Sequence, residues 1–123
     1  MSKYVVLLPG DENVWEATSP EHKSEVYGRH AEFSKALEER GHKIVGGAEL
    51  AHSREAKQVR SKPSGGVVVT DGPYAETVEQ LTGFYLVESD NLDGLLDTCG
   101  ILADVESAIE VREMLTSDDG GEA

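Results

Sequence analysis

The sequence predicts an α+β domain in which an antiparallel sheet carries its helices on one face. Three features predict it. The chain starts with an apolar, β-branched run, KYVVLL (residues 3–8). A long segment from Pro20 to Arg40 repeats its apolar residues at helical spacing. The remainder alternates short apolar runs with Gly/Pro turns around one further short helix. Runs of period two and of period 3.6 in one chain belong to a mixed architecture.

Residues 3–8 read as a buried first strand, stopped by Pro9-Gly10-Asp11. Residues 9–19 then form a loop that contains Trp15. Ser19-Pro20-Glu21 starts a helix: a hydroxyl at the N-cap, a proline at the first helical position and an early acid. Thr18 and Glu21 have capping-box spacing, so the cap could also sit one residue earlier. The helix is expected to reach about Arg40, with Gly41 as its stop. Val26, His30, Phe33 and Leu37 form its core-facing stripe.

A second strand begins at His42 and ends at Gly47, where Gly46-Gly47 marks a bulge or a close backbone approach. Lys57 to Lys62 and Gly66 to Thr70 form a hairpin across the turn Pro63-Ser64-Gly65-Gly66. Asp71-Gly72-Pro73 breaks that run, and Gly83 to Glu88 is a fifth strand. Asp90 is placed as the cap of a short helix with Leu92, Leu95 and Leu96 on its apolar face, ending at Gly100. Ala108 to Arg112 is a last strand, and residues 116–123 (TSDDGGEA) are expected to be a disordered tail. Residues 1–115 thus make one domain.

The order is β-α-β, hairpin, β-α-β, the ferredoxin-like split βαβ pattern with an inserted hairpin. Such a sheet has one face without helices. Pairing two sheets face to face would cover it, so a homodimer is expected.

The bulk properties exclude several classes. With 11 Lys and Arg against 24 Asp and Glu, the net charge is −13. A chain this acidic repels phosphate backbones and anionic lipid, so neither direct nucleic-acid binding nor membrane binding is expected. No apolar run approaches the roughly 20 residues that span a bilayer. The apolar stretch Tyr4 to Leu8 is too short for a signal peptide, and the expected location is the cytoplasm. One cysteine, Cys99, cannot form an internal disulfide and reads as packing. His22, His30, His42 and His52 match no metal-binding spacing, so no metal or other cofactor is expected.

Two residues stand out for chemistry. His30 lies on the apolar face of the long helix, where it is either a core histidine satisfied by a hydrogen bond or a group that moves protons near neutral pH. Asp71 closes a strand before Gly72-Pro73, where it either presents a carboxylate or caps its own turn. Tyr74, Glu76 and Arg112 are further candidates for contacting a ligand, with packing, solvation and an ordinary ion pair as their plainer roles.

Residues 71–88, DGPYAETVEQLTGFYLVE, resemble the signature of the DGPF-type branch of the YCII-related family, typically DGPFAETKEQLGGFYLIE. Tyr74, Val78 and Thr82 are departures from it. The resemblance extends over roughly residues 3–113, through KYVVLLPGDE, the SPE helix start, LDGLL and IEVR. Glu113 stands where the family usually has proline. The resemblance implies a dimeric α+β barrel of ferredoxin-like protomers. It also implies a His–Asp site, which falls here on His30 and Asp71. Family members with assigned chemistry act on small ring compounds by elimination or isomerisation. Other members are associated with extracytoplasmic-function sigma factors, which implies a non-catalytic, ligand-binding or regulatory alternative.

Overall fold

A computed structural model describes residues 1–115 of the chain; the expected tail, residues 116–123, lies outside the described residues. Six strands and three helices are present: β1 (Ser2–Asp11), α1 (Glu12–Glu16), α2 (Pro20–Glu39), β2 (Lys43–Glu49), β3 (Lys57–Ser61), β4 (Val67–Asp71), β5 (Glu79–Ser89), α3 (Leu92–Ala103) and β6 (Glu110–Glu113). A 3-10 turn, Ser53–Glu55, leads into β3. Strands β2, β5, β1 and β6 lie side by side in that order, and every neighbouring pair is antiparallel. This is the ferredoxin-like order the sequence predicts. The inserted hairpin, β3–β4, forms a separate two-stranded sheet.

Alternation along β1 builds the inner layer. Tyr4, Val6 and Leu8 are buried and meet Val87 of β5, Phe33 and Leu37 of α2, and Leu95, Cys99 and Leu102 of α3. Both long helices therefore cover the same face of the sheet. Burial lifts the Cys99 thiol to about 11, which keeps it protonated and suits a packing role. Among the described residues no helix is long and apolar enough to cross a membrane.

Ser19 is the N-cap of α2, its hydroxyl accepting from the His22 amide at 3.1 Å. Thr18 instead donates its hydroxyl to the carbonyl of Val14. Several boundaries differ from expectation. Residues 9–19 are no simple loop: β1 continues to Asp11, whose carboxylate caps the short helix α1 and places Trp15 upon it. Asn91, not Asp90, caps α3. That helix passes through Gly100 to Ala103, because Leu102 buries fully against the core. Strand β5 begins at Glu79, since Glu79, Gln80 and Leu81 pair with the end of β1 beyond a bulge at Leu8/Pro9.

Gly46 and Gly47 do both things their pattern suggested. The pairing of β2 with β5 shifts between Ile44 and Gly46. Gly47 has φ of +142°, and a Cβ there would lie 2.5 Å from the Phe84 carbonyl oxygen. Gly47→Ala should therefore destabilise the protein by about 2 kcal/mol or more. Gly28→Ala, where a Cβ meets nothing within 4 Å, should not destabilise it. Urea unfolding of the two variants checks the contrast.

His42 is buried, with Nδ1 2.8 Å from the Ser89 hydroxyl. Burial first, and the Arg40 charge second, hold its pKa below the usual histidine value. The unfolded chain then binds the proton more readily, so His42 contributes stability that is complete above the unfolded pKa of about 6.5. That contribution is lost as pH falls through the lower folded value. His42→Asn should flatten this part of the stability profile, as read by melting temperature between pH 5 and 7.

Candidate functional site

The C-terminal half of α2 packs on the sheet through Phe33 and Leu37. Its N-terminal half does not close down in the same way, and a cavity of about 860 Å³ lies there. Its walls are His22, Val26, Tyr27 and His30 of α2 and Leu8, Ile44 and Tyr85 of the sheet. Trp15 of α1 lies at one end, and the segment Val105–Ser107 after α3 at another. The size and the mixture of apolar walls with a few polar groups suit a small organic molecule.

A chain of three polar side chains crosses this cavity. Nδ1 of His30 lies 2.6 Å from the Tyr85 hydroxyl, and Nε2 lies 2.8 Å from Oε2 of Glu106. An ionised carboxylate only accepts, so Nε2 carries the proton, and in the neutral ring Nδ1 accepts from the Tyr85 hydroxyl. Protonating the ring turns Nδ1 into a donor to the tyrosine oxygen. The chain therefore has two consistent proton arrangements. His30 and Glu106 are only 19% and 14% exposed, so the pair interacts with little competition from water. Burial pushes the Tyr85 phenol above its ordinary value, the Ser34 hydroxyl opposes this, and the Glu106 charge adds to it. Tyr85 is thus a neutral O–H at physiological pH. Its ring also stacks on His30 and packs edge-on against Phe33, which fixes its direction.

The other end of the cavity is built on α1. Buried Glu12 accepts from the Ser53 amide at 2.7 Å and the Ser53 hydroxyl at 2.6 Å. His52 accepts from the Arg54 amide through Nδ1 and meets Asn13 through Nε2. Trp15 meets Tyr27 edge-on at 5.7 Å, and the Lys23 ammonium lies 5.4 Å from the Trp15 ring. The Tyr27 hydroxyl donates to Glu49, and burial, followed by that carboxylate, raises its pKa. Five carboxylates line the cavity, Asp11, Glu12, Glu16, Glu49 and Glu106, against a single lysine or arginine, Lys23.

Of the residues singled out in the sequence, only His30 lies in this cavity. Asp71 ends β4, 79% exposed, with its carboxylate 2.5 Å from the Lys57 ammonium. Both ring nitrogens of His30 are occupied by other partners, so within one protomer no hydrogen bond joins His30 to Asp71. The carboxylate facing His30 is Glu106. Tyr74 is 89% exposed, and Glu76 is exposed in the turn beside it. Arg112 pairs with Glu110 and shares the helix-free face of the sheet with Val5. No group of His, Cys, Asp and Glu among the described residues is arranged to hold a metal ion.

Tyr85 was within reach of sequence reasoning. It alternates with Val87 on β5, so it must share the inner face with the His30 stripe. Glu106 lies in an irregular segment whose path no local pattern fixes.

The two hydrogen bonds hold His30 as the Nε2–H tautomer, which nitrogen NMR of histidine-labelled protein at alkaline pH reads directly. Tyr85→Phe should leave the fold intact, cost about 1 kcal/mol and leave Nδ1 without its donor. Glu106→Gln can present either an oxygen or an amide to Nε2, so it should yield a mixture of tautomers.

Comparison with known proteins identifies the family. The model of the YCII-related domain matches residues 2–118. An uncharacterised protein of Rhizobium meliloti (strain 1021) is 38% identical over 94 residues, which cover 76% of this chain and 74% of that protein. With a match over nearly its whole length, the chain belongs to the YCII-related family.

Proposed function

We propose that the cavity binds a small, ring-bearing organic molecule and that His30 moves a proton to or from it, acting with Tyr85 and Glu106. The observation that carries this reading is the unbroken Tyr85–His30–Glu106 chain in the wall of an 860 Å³ cavity. In the basic direction, the substrate's proton passes to the Tyr85 oxygen as the phenolic proton moves to Nδ1 of His30. Glu106 then stabilises the imidazolium. In the acidic direction the same protons return, which is what an elimination or isomerisation requires. The apolar and aromatic walls, Val26, Tyr27, Trp15 and Ile44, favour a flat apolar body.

The working unit on this reading is a homodimer. The sheet face without helices carries Val5, Leu7, Val45, Phe84 and Leu86, an apolar stripe that a second copy would cover.

A panel of small aromatic and alicyclic carbon acids, incubated with the protein in heavy water, tests the chemistry. Deuterium incorporation into one of them is expected for the unmodified chain. His30→Ala should reduce it by about 10²- to 10⁴-fold while the fold is retained at a somewhat lower melting temperature. Exchange that persists undiminished in His30→Ala would remove the histidine from the mechanism.

A further inference from the structure

Among the described residues the β3–β4 hairpin pairs only with itself. A lone two-stranded hairpin is marginal in water and normally leans on another surface. This one has its apolar side bare: Val59 and Val69 oppose each other, Val67 follows on the same face, and the three are 64%, 58% and 57% exposed. Every residue from Val59 to Asp71 is exposed. The root, by contrast, is fixed, through the Gly72 amide to the Ala56 carbonyl at 2.8 Å and the Gln58 amide to the Pro73 carbonyl at 2.8 Å.

The charge of this segment differs from that of the chain. Residues 57–71 hold Lys57, Arg60 and Lys62, three of the 11 basic residues, and one acidic residue, Asp71, which pairs with Lys57 and leaves Arg60 and Lys62 in excess. A basic strand pair with a valine face thus extends from a body of strong negative charge. Such a segment is complementary to that body in both sign and polarity, and within its own chain it does not fold back upon it.

We propose that the hairpin is an arm that lies on a second copy of this chain, its valine face against apolar surface, while Arg60 on the opposite face and Lys62 at the turn reach carboxylates of the partner body. A nucleic acid fits less well. It would meet the −13 chain as a whole and would leave the valine face in water. The inference rests on the homodimer reading and adds to it: the contact between protomers includes the hairpin as well as the bare sheet face.

The test replaces Val69 in the full chain with the photo-cross-linker p-benzoyl-phenylalanine. Isotopically light and heavy copies are mixed, and the cross-links are mapped by mass spectrometry. Light scattering on the same samples reports the oligomeric state. A dimer with light-to-heavy cross-links from the hairpin to the body is the expected result. A dimer whose cross-links stay within one copy, or do not form, overturns the arm and leaves the sheet-face dimer standing. A monomer at every concentration overturns both. Cross-links to a different protein or to nucleic acid alone overturn the arm in favour of that occupant. A double variant, Arg60→Glu with Lys62→Glu, gives a second reading that leaves the valines in place. Its self-association should be about tenfold or more weaker at low salt, and the difference should shrink as salt screens the charges. Unchanged association at low salt would overturn the electrostatic part of the contact.

Discussion

The contact on which the rest of this structure depends is the one between the C-terminal half of α2 and the inner face of β1 and β5. Phe33 and Leu37 are fully buried there against Tyr4, Val6 and Val87. Each such side chain contributes about 1.5–3 kcal/mol by leaving water, a large share of a small domain's net stability. One turn earlier the same stripe presents His30. Its ring is too polar to be sealed unpartnered, and Tyr85 and Glu106 complete it. Beyond His30 the helix lines the cavity. Packing and cavity are thus two halves of one amphipathic helix, and the polar chain lies at the boundary between them.

That position is what the proposed proton transfer would require. In the sealed core a Tyr–His–Glu assembly would be a static polar plug. In open solvent its hydrogen bonds would exchange with water. At the boundary the low-dielectric side fixes the geometry, and on the proposed reading the cavity side would admit a substrate. The raised phenol of Tyr85 belongs to the same balance: burial keeps it a donor, and the adjacent imidazole gives its proton a destination.

The body of the fold was legible in the sequence because its signals are local. Periodicity placed α2 and the inner strands, Ser19-Pro20-Glu21 placed the helix start, and Gly46-Gly47 placed the bulge. The element order then allowed few topologies. Errors gathered where local pattern is weak, at the polar start of β5, the cap of α3 and the short helix α1. The site was legible by half. A histidine on an apolar face announces that something must satisfy it, but not what. The DGP turn drew attention to Asp71 because its residues are distinctive; within the protomer Asp71 ends β4 and pairs with Lys57. Glu106 supplies the carboxylate from 76 residues beyond His30, a contact that only the folded chain creates.

The two elements that depart from the simplest form of the fold are joined to each other. Helix α1 and the 3-10 turn at the hairpin root are tied by Glu12 to Ser53, by Asn13 to His52, and by the ion pair of Glu16 with Arg54. Arg54 holds the Glu16 carboxyl below its ordinary range, as that pairing requires. Helix α1, which lines the cavity, and the root of the hairpin are therefore one bonded unit. On the arm proposed above, a surface that holds the hairpin would also restrain Trp15 and Glu12 in the cavity lining. In a chain with so small a core, such a restraint is an economical way to order a cavity wall: the bonds are short-range, and the long lever of the hairpin lies outside the domain body.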